Sequence, residues 1–364
     1  MKKVGIIVEY NPLHNGHLIH INEIKKQAHA DIIIACMSGS FSSRGDLSIF
    51  DKFEKTKQAL TAGIDLVVEL PYVYTVERAD IFAKNAVDVL KMLDVDEIWI
   101  GSEENNPELY AKAYKKFRNN QKLRDGKSMK ETYLDELPFK SNDILGFFYY
   151  KRIMDKKYNI KLKTIKREIS NFLDTIIHHE YIASANAIRE NINMINDYTP
   201  KFVSDSKKKI LPEDKLYKYV NYKILTSSTS ELKDIFMVDE GFENKLKKEI
   251  NASSYNEYFE SLVSKRYTKA RIKRMLDNIL INLTKKEINI IQSKDIDFIR
   301  VLGYNDTGKK YLKSIKKDIN ILTNIKEGIN LAYDIEIRIT KLLDFVYNTK
   351  LFKKEQSKPI EYNE

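Results

Sequence analysis

Short apolar runs punctuate the first half of the chain, and amphipathic stretches of helical length separate them. Five such runs, rich in valine and isoleucine, lie between residue 3 and about residue 167: KVGIIVEY, DIIIACM, DLVVELP, DEIWIGS and IKLKTIKR. Strands that are apolar on both faces and alternate with helices are typical of a parallel sheet covered by helices on both sides. The pattern predicts an α/β domain with a doubly wound parallel sheet.

The second half of the chain has a different pattern. Long stretches rich in lysine and glutamate, such as LYKYVNYKILTSSTSELKDIF and YTKARIKRMLDNILINLTKK, repeat their apolar residues at helical spacing. We therefore predict a boundary near residue 195, with an α/β domain over 1–195 and a mainly helical domain over 196–364. A short α/β element is expected within the second domain, near 296–325.

Ligands of doubly wound sheets bind beyond the carboxyl ends of the strands. Four predicted strands end in glycine, proline or polar residues, at Glu9–Asn11, Ser38–Gly39, Glu69–Pro71 and Gly101–Glu103. These four ends are the expected borders of a ligand site.

The first strand end continues into EYNPLHNGHLIH, which holds three of the six histidines of the chain. A helix is predicted to start near Asn15 or Gly16, and the free N–H groups of a helix N-terminus suit a phosphate. At a spacing of three, His14 and His17 face the same side and can both donate hydrogen bonds to one anion. The alternative is that both histidines only cap or pack the helix. The same alternative applies to His20, one turn further along.

Composition narrows the function classes. Lysine and arginine number 62 against 52 acidic residues, a net charge of +10, which favours a polyanionic partner or reflects a lysine-rich solvated surface. The single cysteine, Cys36, excludes a disulfide framework and a thiolate metal cluster. No signal-peptide core and no apolar run of about 18 residues is present, so we expect a cytoplasmic protein without a membrane span.

Two motifs resemble those of the nucleotidylyltransferase superfamily. HNGH at 14–17 matches its H-x-G-H signature, and SANAIR, Ser184 to Arg189, matches a second signature of the form Ser-x-x-x-Ile-Arg that contacts the triphosphate. The resemblance implies a Rossmann-like sheet of the nucleotidylyltransferase type, and it implies that a phosphoryl group is the anion at His14 and His17.

A closer resemblance covers almost the whole chain. The sequence is similar to the bacterial tRNA(Met) cytidine acetate ligases at GIIVEYNPLHNGHLIH, MSGSFSSRGDLSIFDK, DLVVELP, SNDILG, IASANAIR, RYTKARIKRMLDNIL and RVLGYNDTGKKYLKSIK. The family implies activation of acetate by ATP, with Mg²⁺, to acetyl-adenylate. The acetyl group then passes to N4 of the wobble cytidine in the anticodon loop of elongator tRNA(Met).

The same resemblance assigns an ATP site residue by residue. His14 and His17 are the expected catalytic residues. The expected ATP-binding residues are Ile7, Val8, Glu9, Tyr10, Asn11, Pro12, Leu13, His14, Asn15, Gly16, His17, Leu18, Ile19, His20, Gly101, Asn142, Arg167, Ser184 and Arg189. Asn142 equally suits a helix cap, and Arg167 equally suits a surface arginine.

A basic segment supplies the expected tRNA contacts. KRYTKARIKRM places Arg266, Lys269, Arg271, Lys273 and Arg274 close together, and helical spacing turns Ile272, Met275 and Leu276 toward a core. These five residues, and Arg44 in the turn after MSGSFS, are the predicted tRNA-binding residues. A solvated basic face is the alternative.

Some residues depart from the family pattern. Ser40 replaces asparagine, Asp46 replaces glutamate, Asn186 replaces threonine, and EISNFLD follows Arg167 in place of a glycine-containing Tyr-His-Asp stretch. GYNDTGKK imitates a phosphate-binding loop, but Lys310 stands where the Mg²⁺-binding hydroxyl belongs, so we interpret it as a strand-to-helix turn. Neither a zinc-type ligand spacing nor a Ser-His-Asp arrangement is visible.

Three other functions remain open. A nucleotidylyltransferase could transfer AMP or CMP to a small phosphate acceptor, although that acceptor needs no basic helical half. A class I aminoacyl-tRNA synthetase is a second possibility, but the sequence lacks the KMSKS-like lysine loop of that class. An RNA-binding protein with a retained scaffold is permitted by the fold alone.

Overall fold

The computed structural model describes residues 1–119, 139–167, 181–250, 254–315 and 319–363. The strands are β1 (Lys3–Val8), β2 (Ile32–Ser38), β3 (Leu66–Leu70), β4 (Glu97–Ser102), β5 (Lys161–Lys166), β6 (Ile299–Tyr304), β7 (Ile321–Leu322) and β8 (Ile360–Glu361). The helices are α1 (Asn15–Ala28), α2 (Lys52–Thr61), α3 (Tyr72–Thr75), α4 (Ala79–Met92), α5 (Pro107–Asn119), α6 (Ser141–Lys156), α7 (Ala185–Glu190), α8 (Ile195–Tyr198), α9 (Lys201–Ser204), α10 (Asp214–Thr226), α11 (Thr229–Asp234), α12 (Phe242–Glu249), α13 (Tyr255–Leu262), α14 (Lys269–Leu280), α15 (Lys285–Gln292), α16 (Asp306–Ile315), α17 (Leu331–Tyr347) and α18 (Leu351–Glu355).

One sheet runs through the molecule in the order β5-β4-β1-β2-β3-β6-β7, with β8 beside β6. The five strands predicted from the apolar runs are β1 to β5, and they pair in parallel. The chain moves from β1 through β2 to β3 on one side of the sheet and returns to β4 and β5 on the other. This reversal opens a crevice between the carboxyl ends of β1 and β4, where doubly wound sheets bind ligands.

Burial explains why these runs form strands. Every residue of β2 and β3 is buried, as expected for central strands covered on both faces. Strand β5 lies at the edge of the sheet, and its three lysines are exposed, which discourages pairing with another chain. The apolar pattern therefore indicates which residues form strands and whether a strand is central or at the edge of the sheet.

The C-terminal α/β element lies elsewhere than the sequence pattern suggested. Strand β6 pairs antiparallel with β3 and so extends the N-terminal sheet. Its first five residues are buried, and Thr56 and Leu60 of α2 lie against this strand at Gly303. As expected, GYNDTGKK is the turn between β6 and α16, where Gly308 lies so close to the carbonyl of Asp65 that a Cβ would stand 2.2 Å from its oxygen.

The described residues form two apolar cores. The larger core surrounds the sheet and includes residues of α17 such as Tyr333 and Leu343. The smaller core is built by residues between Val220 and Ile279, on helices α10 to α14. A boundary near residue 195 stays a prediction, since helices on both sides of it contribute to the larger core. Within the described ranges, no helix has both the length and the apolar character that crossing a bilayer requires.

Candidate active site

The loop after β1 carries the chain to the start of α1. Tyr10 takes a positive φ of 47°, and the Asn11–Pro12 peptide bond is cis. The Asn11 amide is fixed on both sides, because its Oδ1 accepts the N–H of Ile49 at 2.9 Å and its Nδ2 donates to the carbonyl of Leu47 at 3.2 Å. The N-terminus of α1 is thereby held at the carboxyl end of the central strand.

His14 and His17 lie against each other at this N-terminus. Their ring centroids are 3.7 Å apart and the rings are nearly parallel, as the spacing of three predicted. The backbone N–H of His14 donates to Nδ1 of His17 at 3.2 Å. A ring nitrogen that accepts carries no proton, so the proton of neutral His17 is on Nε2, which is left as a donor.

Gly16 makes room for this arrangement. A Cβ at this position would lie 3.0 Å from Cε1 and 3.1 Å from Nδ1 of His14. The glycine of the H-x-G-H motif thus lets the His14 ring fold back over the first turn of the helix. Nδ1 of His14 and Nε2 of His20 are buried without a hydrogen-bond partner among the described residues. Buried polar atoms of this kind are expected to be satisfied by a ligand or water.

All three imidazoles are neutral at physiological pH. Burial, together with the nearby charge of Arg167, lowers the pKa of His14 to about 3 and that of His20 to about 4. Burial also holds the pKa of His17 well below its ordinary value. A neutral imidazole carries no positive charge, so it can bind an anion only by donating a hydrogen bond.

Arg167 places a positive charge near the three imidazoles. Its backbone N–H donates to the carbonyl of Ser102 at 2.9 Å, so the residue lies directly beyond the end of β5. A Cβ on Gly101 would lie 3.2 Å from Cγ of Arg167, so the arginine side chain passes over this glycine. A glycine is therefore needed at position 101 to make room for the side chain of Arg167. The sequence had suggested a different reason, the close approach of the backbone to a nucleotide.

The N-terminus of α6 lies beside the carboxyl end of β4. Asn142 is the second residue of this helix, and its Nδ2 donates to Oε1 of Glu103 at 2.7 Å. Burial raises the pKa of Glu103, while the charge of Arg167 opposes that shift. The carboxylate of Glu103 thus interacts electrostatically with Arg167 and accepts the amide N–H of Asn142.

The second signature reaches the same loop. Ser184 caps α7 by accepting the N–H of Ala187 at 3.0 Å. Arg189 donates to the carbonyl of Asn11 at 2.7 Å and to Oδ1 of Asn186 at 3.1 Å, and it lies 3.5 Å from the carboxylate of Asp46. Its guanidinium is therefore already engaged in tying the second signature to the loop that precedes His14.

The remaining residues of the predicted ATP-binding run have different environments. Ile7 and Val8 end β1, and Oε1 of Glu9 accepts the N–H of Ser43 at 2.7 Å. Leu13 is fully buried in the apolar core, and Pro12 is buried beside it. Asn15 donates to the carbonyl of Tyr181 at 3.0 Å, whereas Leu18 packs on the core and Ile19 is about half exposed.

Helix α14 divides the predicted tRNA-binding residues into two groups. As expected, Ile272, Met275 and Leu276 are buried. Lys273 pairs with Asp46, and Arg274 donates to the carbonyls of Ser43 at 3.2 Å and Glu77 at 3.0 Å. Both side chains face the 42–48 loop instead of an open basic surface, because Lys273 pairs with the carboxylate of Asp46 and Arg274 donates to the carbonyl of Ser43. They attach the helical core to the strand ends.

The other basic side chains are accessible to solvent. Arg266 pairs with Glu240 and Lys269 pairs with Glu260, both on the surface. The guanidinium of Arg271 lies 4.1 Å from the ring centroid of Tyr267. Arg44 is partly buried at the tip of the 42–48 loop, where its charge contributes to lowering the pKa of Arg274.

Lys55 was not singled out by the sequence. It is fully buried, and its Nζ donates to the carbonyls of Glu9 at 2.8 Å and Gly39 at 2.9 Å and to Oγ of Ser48 at 3.0 Å. Burial lowers its pKa to about 7. Lys55 holds the ends of β1 and β2 together, and a lysine in an amphipathic helix gives no sequence signal for that position.

Acidification is expected to destabilise the fold through the buried histidines. The unfolded chain, with a histidine pKa of about 6.5, takes up protons before the folded protein does, because folded His14 and His20 have pKa values of about 3 and about 4. The contribution of these histidines to stability is complete above about pH 6.5 and is lost as pH falls through the folded pKa values of about 4 for His20 and about 3 for His14. Thermal unfolding of His14→Gln and His20→Gln should depend less on pH than that of the wild type. His29→Gln, an exposed change at the end of α1, should keep the wild-type dependence.

Comparisons with known proteins show the family to which the chain belongs. The model of a family described as HIGH Nucleotidyl Transferase matches residues 1–358. A tRNA(Met) cytidine acetate ligase of Anoxybacillus flavithermus is 37% identical over 376 aligned positions, which cover 94% of this chain and 94% of the relative. One of Staphylococcus aureus is 35% identical, covering 95% of this chain and 96% of the relative. The chain belongs to this ligase family.

Solved structures of the family share the fold. The crystal structure of apo TmcAL from Thermotoga maritima has a TM-score of 0.87 at 25% identity, covering 99% of each chain. A second form of that protein, bound with alpha-thio ATP, has a TM-score of 0.84 at 24% identity, with 99% of each chain covered. The sheet with its helical C-terminal region is therefore the architecture of the ligase family.

The departures from the family pattern have defined surroundings in this ligase. Asp46 pairs with Lys273 and Arg189, Asn186 accepts from Arg189, and Ser40 is buried. Asp46 and Asn186 thus take part in the link between the second signature, the 42–48 loop and α14. The EISNFLD segment lies outside the described residues.

Proposed function

We propose that the chain activates acetate with ATP and transfers the acetyl group to N4 of the wobble cytidine of elongator tRNA(Met), forming N4-acetylcytidine. The observation that carries the proposal is the set of neutral imidazoles beside Arg167 at the N-terminus of α1. This set lies at the crevice between β1 and β4. Membership in the tRNA(Met) cytidine acetate ligase family supports the choice of acetate and tRNA.

The first step forms a bond between an acetate oxygen and the α-phosphorus of ATP, and pyrophosphate leaves. Negative charge builds on the oxygens around phosphorus, and Nε2–H of His17 is a donor placed for such an oxygen. Arg167 offsets the charge of the triphosphate, and the N-terminus of α1 adds its partial positive charge. His14 and His17 act by stabilising charge, since a pKa of about 3 for His14 makes it a poor base.

In the second step the N4 amine attacks the acetyl carbon, AMP leaves and the amine loses a proton. The Watson–Crick edge of the cytidine must reach the crevice, which an unstacked anticodon loop permits. Arg266, Lys269 and Arg271 offer an accessible basic surface on the helical core. Arg44 lies between that core and the strand ends.

Mg²⁺ is proposed to arrive with the triphosphate. Among the described residues, no group of three or more histidine, cysteine or acidic side chains could hold a metal ion. Mg²⁺ commonly binds through phosphates and water with few protein ligands, so the triphosphate itself would supply its main ligands.

The exchange of labelled pyrophosphate into ATP tests the first step. Exchange should require acetate, because pyrophosphate re-forms ATP only from acetyl-adenylate. Omitting acetate is the matched control. Exchange that proceeds without acetate, or that requires a small phosphate ester, would instead indicate a nucleotidylyltransferase with a small acceptor.

Loss of the accessible basic surface is expected to weaken tRNA binding. Arg266→Ala combined with Lys269→Ala should raise the Kd for tRNA and make its logarithmic salt slope shallower by about 0.7 to 0.9 for each phosphate that is no longer neutralised. Lys310→Ala with Lys313→Ala is the control, since these exposed lysines lie on α16, beside the amino end of β3. Equal effects of the two double variants would refute a specific surface on the helical core. The Kd of each double variant for tRNA, measured at several salt concentrations, distinguishes these outcomes.

A further inference from the structure

Glu103 occupies the point where β4 meets the N-terminus of α6. Its Oε1 accepts from Nδ2 of Asn142 at 2.7 Å, and its Oε2 accepts the backbone N–H of Asp143 at 3.3 Å. The carboxylate thereby satisfies one of the free N–H groups of the first helical turn. One acidic side chain both caps the helix and holds the asparagine of the nucleotide site.

The carboxylate of Asp143 fixes the backbone on either side of Glu103. Its carboxylate accepts from the hydroxyls of Ser102 and Tyr110 and from the N–H of Glu104 at 3.2 Å. Asp143 thus donates its backbone N–H to Glu103 and accepts the N–H of Glu104, so hydrogen bonds cross the junction of β4 and α6 in both directions. The Glu103 carboxylate has little freedom to move away from Asn142.

The chemistry of a carboxylate decides how the Asn142 amide is turned. An ionised carboxylate only accepts hydrogen bonds, so the Asn142 atom that faces it must be the NH₂ group. The carbonyl oxygen then points away from Glu103. Asn142 is only partly buried, and its hydrogen bond to Glu103 uses the nitrogen and not this oxygen, so the oxygen can meet a ligand.

The charges around the crevice indicate which part of the ligand that oxygen meets. Imidazole donors and the N-terminus of α1 lie on one side, with Arg167 close to His14 and Glu103. A carbonyl oxygen beside an anionic Glu103 repels phosphate. The triphosphate therefore belongs beside the histidines, and the nucleoside belongs beside Asn142.

We propose that Glu103 is a positioning residue for nucleotide selection: it turns Asn142 so that the asparagine oxygen accepts a hydrogen bond from the nucleoside of ATP. The inference rests on the proposed function in that ATP is the bound nucleotide. The 6-amino group of adenine and the ribose hydroxyls can donate to this oxygen. A 6-oxo base cannot donate from that position, and an acceptor facing an acceptor is rejected.

The test compares nucleotide affinities of Glu103→Gln and wild type. The Kd is measured for ATP, for ITP, which has a 6-oxo group, and for the 2′-deoxy and 3′-deoxy forms of ATP. A glutamine can donate as well as accept, so Asn142 gains freedom to turn its NH₂ group toward the ligand. The preference for ATP over one of these analogues should fall at least about tenfold.

Which analogue changes identifies the recognised group. A lost preference against ITP places the base amine at Asn142, and a lost preference against a deoxy form places that ribose hydroxyl there. Glu104→Gln is the matched control, because its exposed side chain carries the same charge change one residue away. It should keep every preference of the wild type.

A structural role alone predicts a different pattern. It would lower the affinity for all four nucleotides by one factor and leave the preferences intact, which would overturn the proposal. In an Asn142→Ala background, Glu103→Gln should change no preference further, since the group that it positions is absent. Equilibrium binding needs neither acetate nor tRNA, so failure here is distinguishable from failure of the proposed reaction.

Discussion

His17→Ala is expected to lower acetate-dependent ATP–pyrophosphate exchange by about 100- to 1,000-fold, the effect of removing one preorganised donor to a developing oxyanion. The donor is Nε2–H, which is left available because Nδ1 accepts the N–H of His14 at 3.2 Å. The ring also packs on His14 at 3.7 Å and Tyr10 at 4.9 Å between centroids, so the truncated site loses its packing there as well.

Two measurements make this prediction specific. The affinity for tRNA should stay close to that of the wild type, because His17 lies on α1 and the accessible basic residues lie on the helical core. His29→Asn serves as a control at the exposed end of the same helix, where the residue has φ of 47° and asparagine tolerates this conformation. Wild-type turnover of His17→Ala would contradict a role at the α-phosphate.

Arg167→Ala is expected to lower kcat/KM for ATP by about 10- to 100-fold, the range for removing a hydrogen bond to a charged group. The same change removes a positive charge that lowers the pKa values of His14, His17 and His20. These histidines should therefore titrate at higher pH in the variant. Nuclear magnetic resonance of the imidazole Cε1–H groups measures that shift directly.

Lys166→Ala is the matched control for Arg167. Lys166 is the exposed last residue of β5 and loses the same charge one position earlier. Its kcat/KM for ATP and the histidine titrations should match the wild type. Unchanged histidine titration in Arg167→Ala would show that the guanidinium does not act on the imidazoles.

The parts of the site that follow from local pattern were predictable. The apolar runs indicated β1 to β5, and the histidine spacing placed His14 and His17 on one side of a helix that begins at Asn15. Both depend on residues close in sequence. The position of the crevice follows as well, because the carboxyl ends of parallel strands share one edge of the sheet.

The parts that depend on distant partners were not predictable. Helical spacing put Lys273 on a basic face, yet its partner, Asp46, is 227 residues away in sequence. The apolar pattern of β6 does not indicate which strand it pairs with. Its antiparallel pairing with β3 is what places it in the N-terminal sheet. Lys55 likewise donates to backbone carbonyls, which every residue has, so the sequence does not identify its partners.

Acetyl transfer is measured by incubating the purified protein with labelled acetate, ATP, Mg²⁺ and total tRNA, followed by nucleoside analysis. Label is expected in N4-acetylcytidine, and its incorporation should require both ATP and elongator tRNA(Met). No label in RNA, from folded protein that binds ATP, would contradict the proposed acetyl transfer.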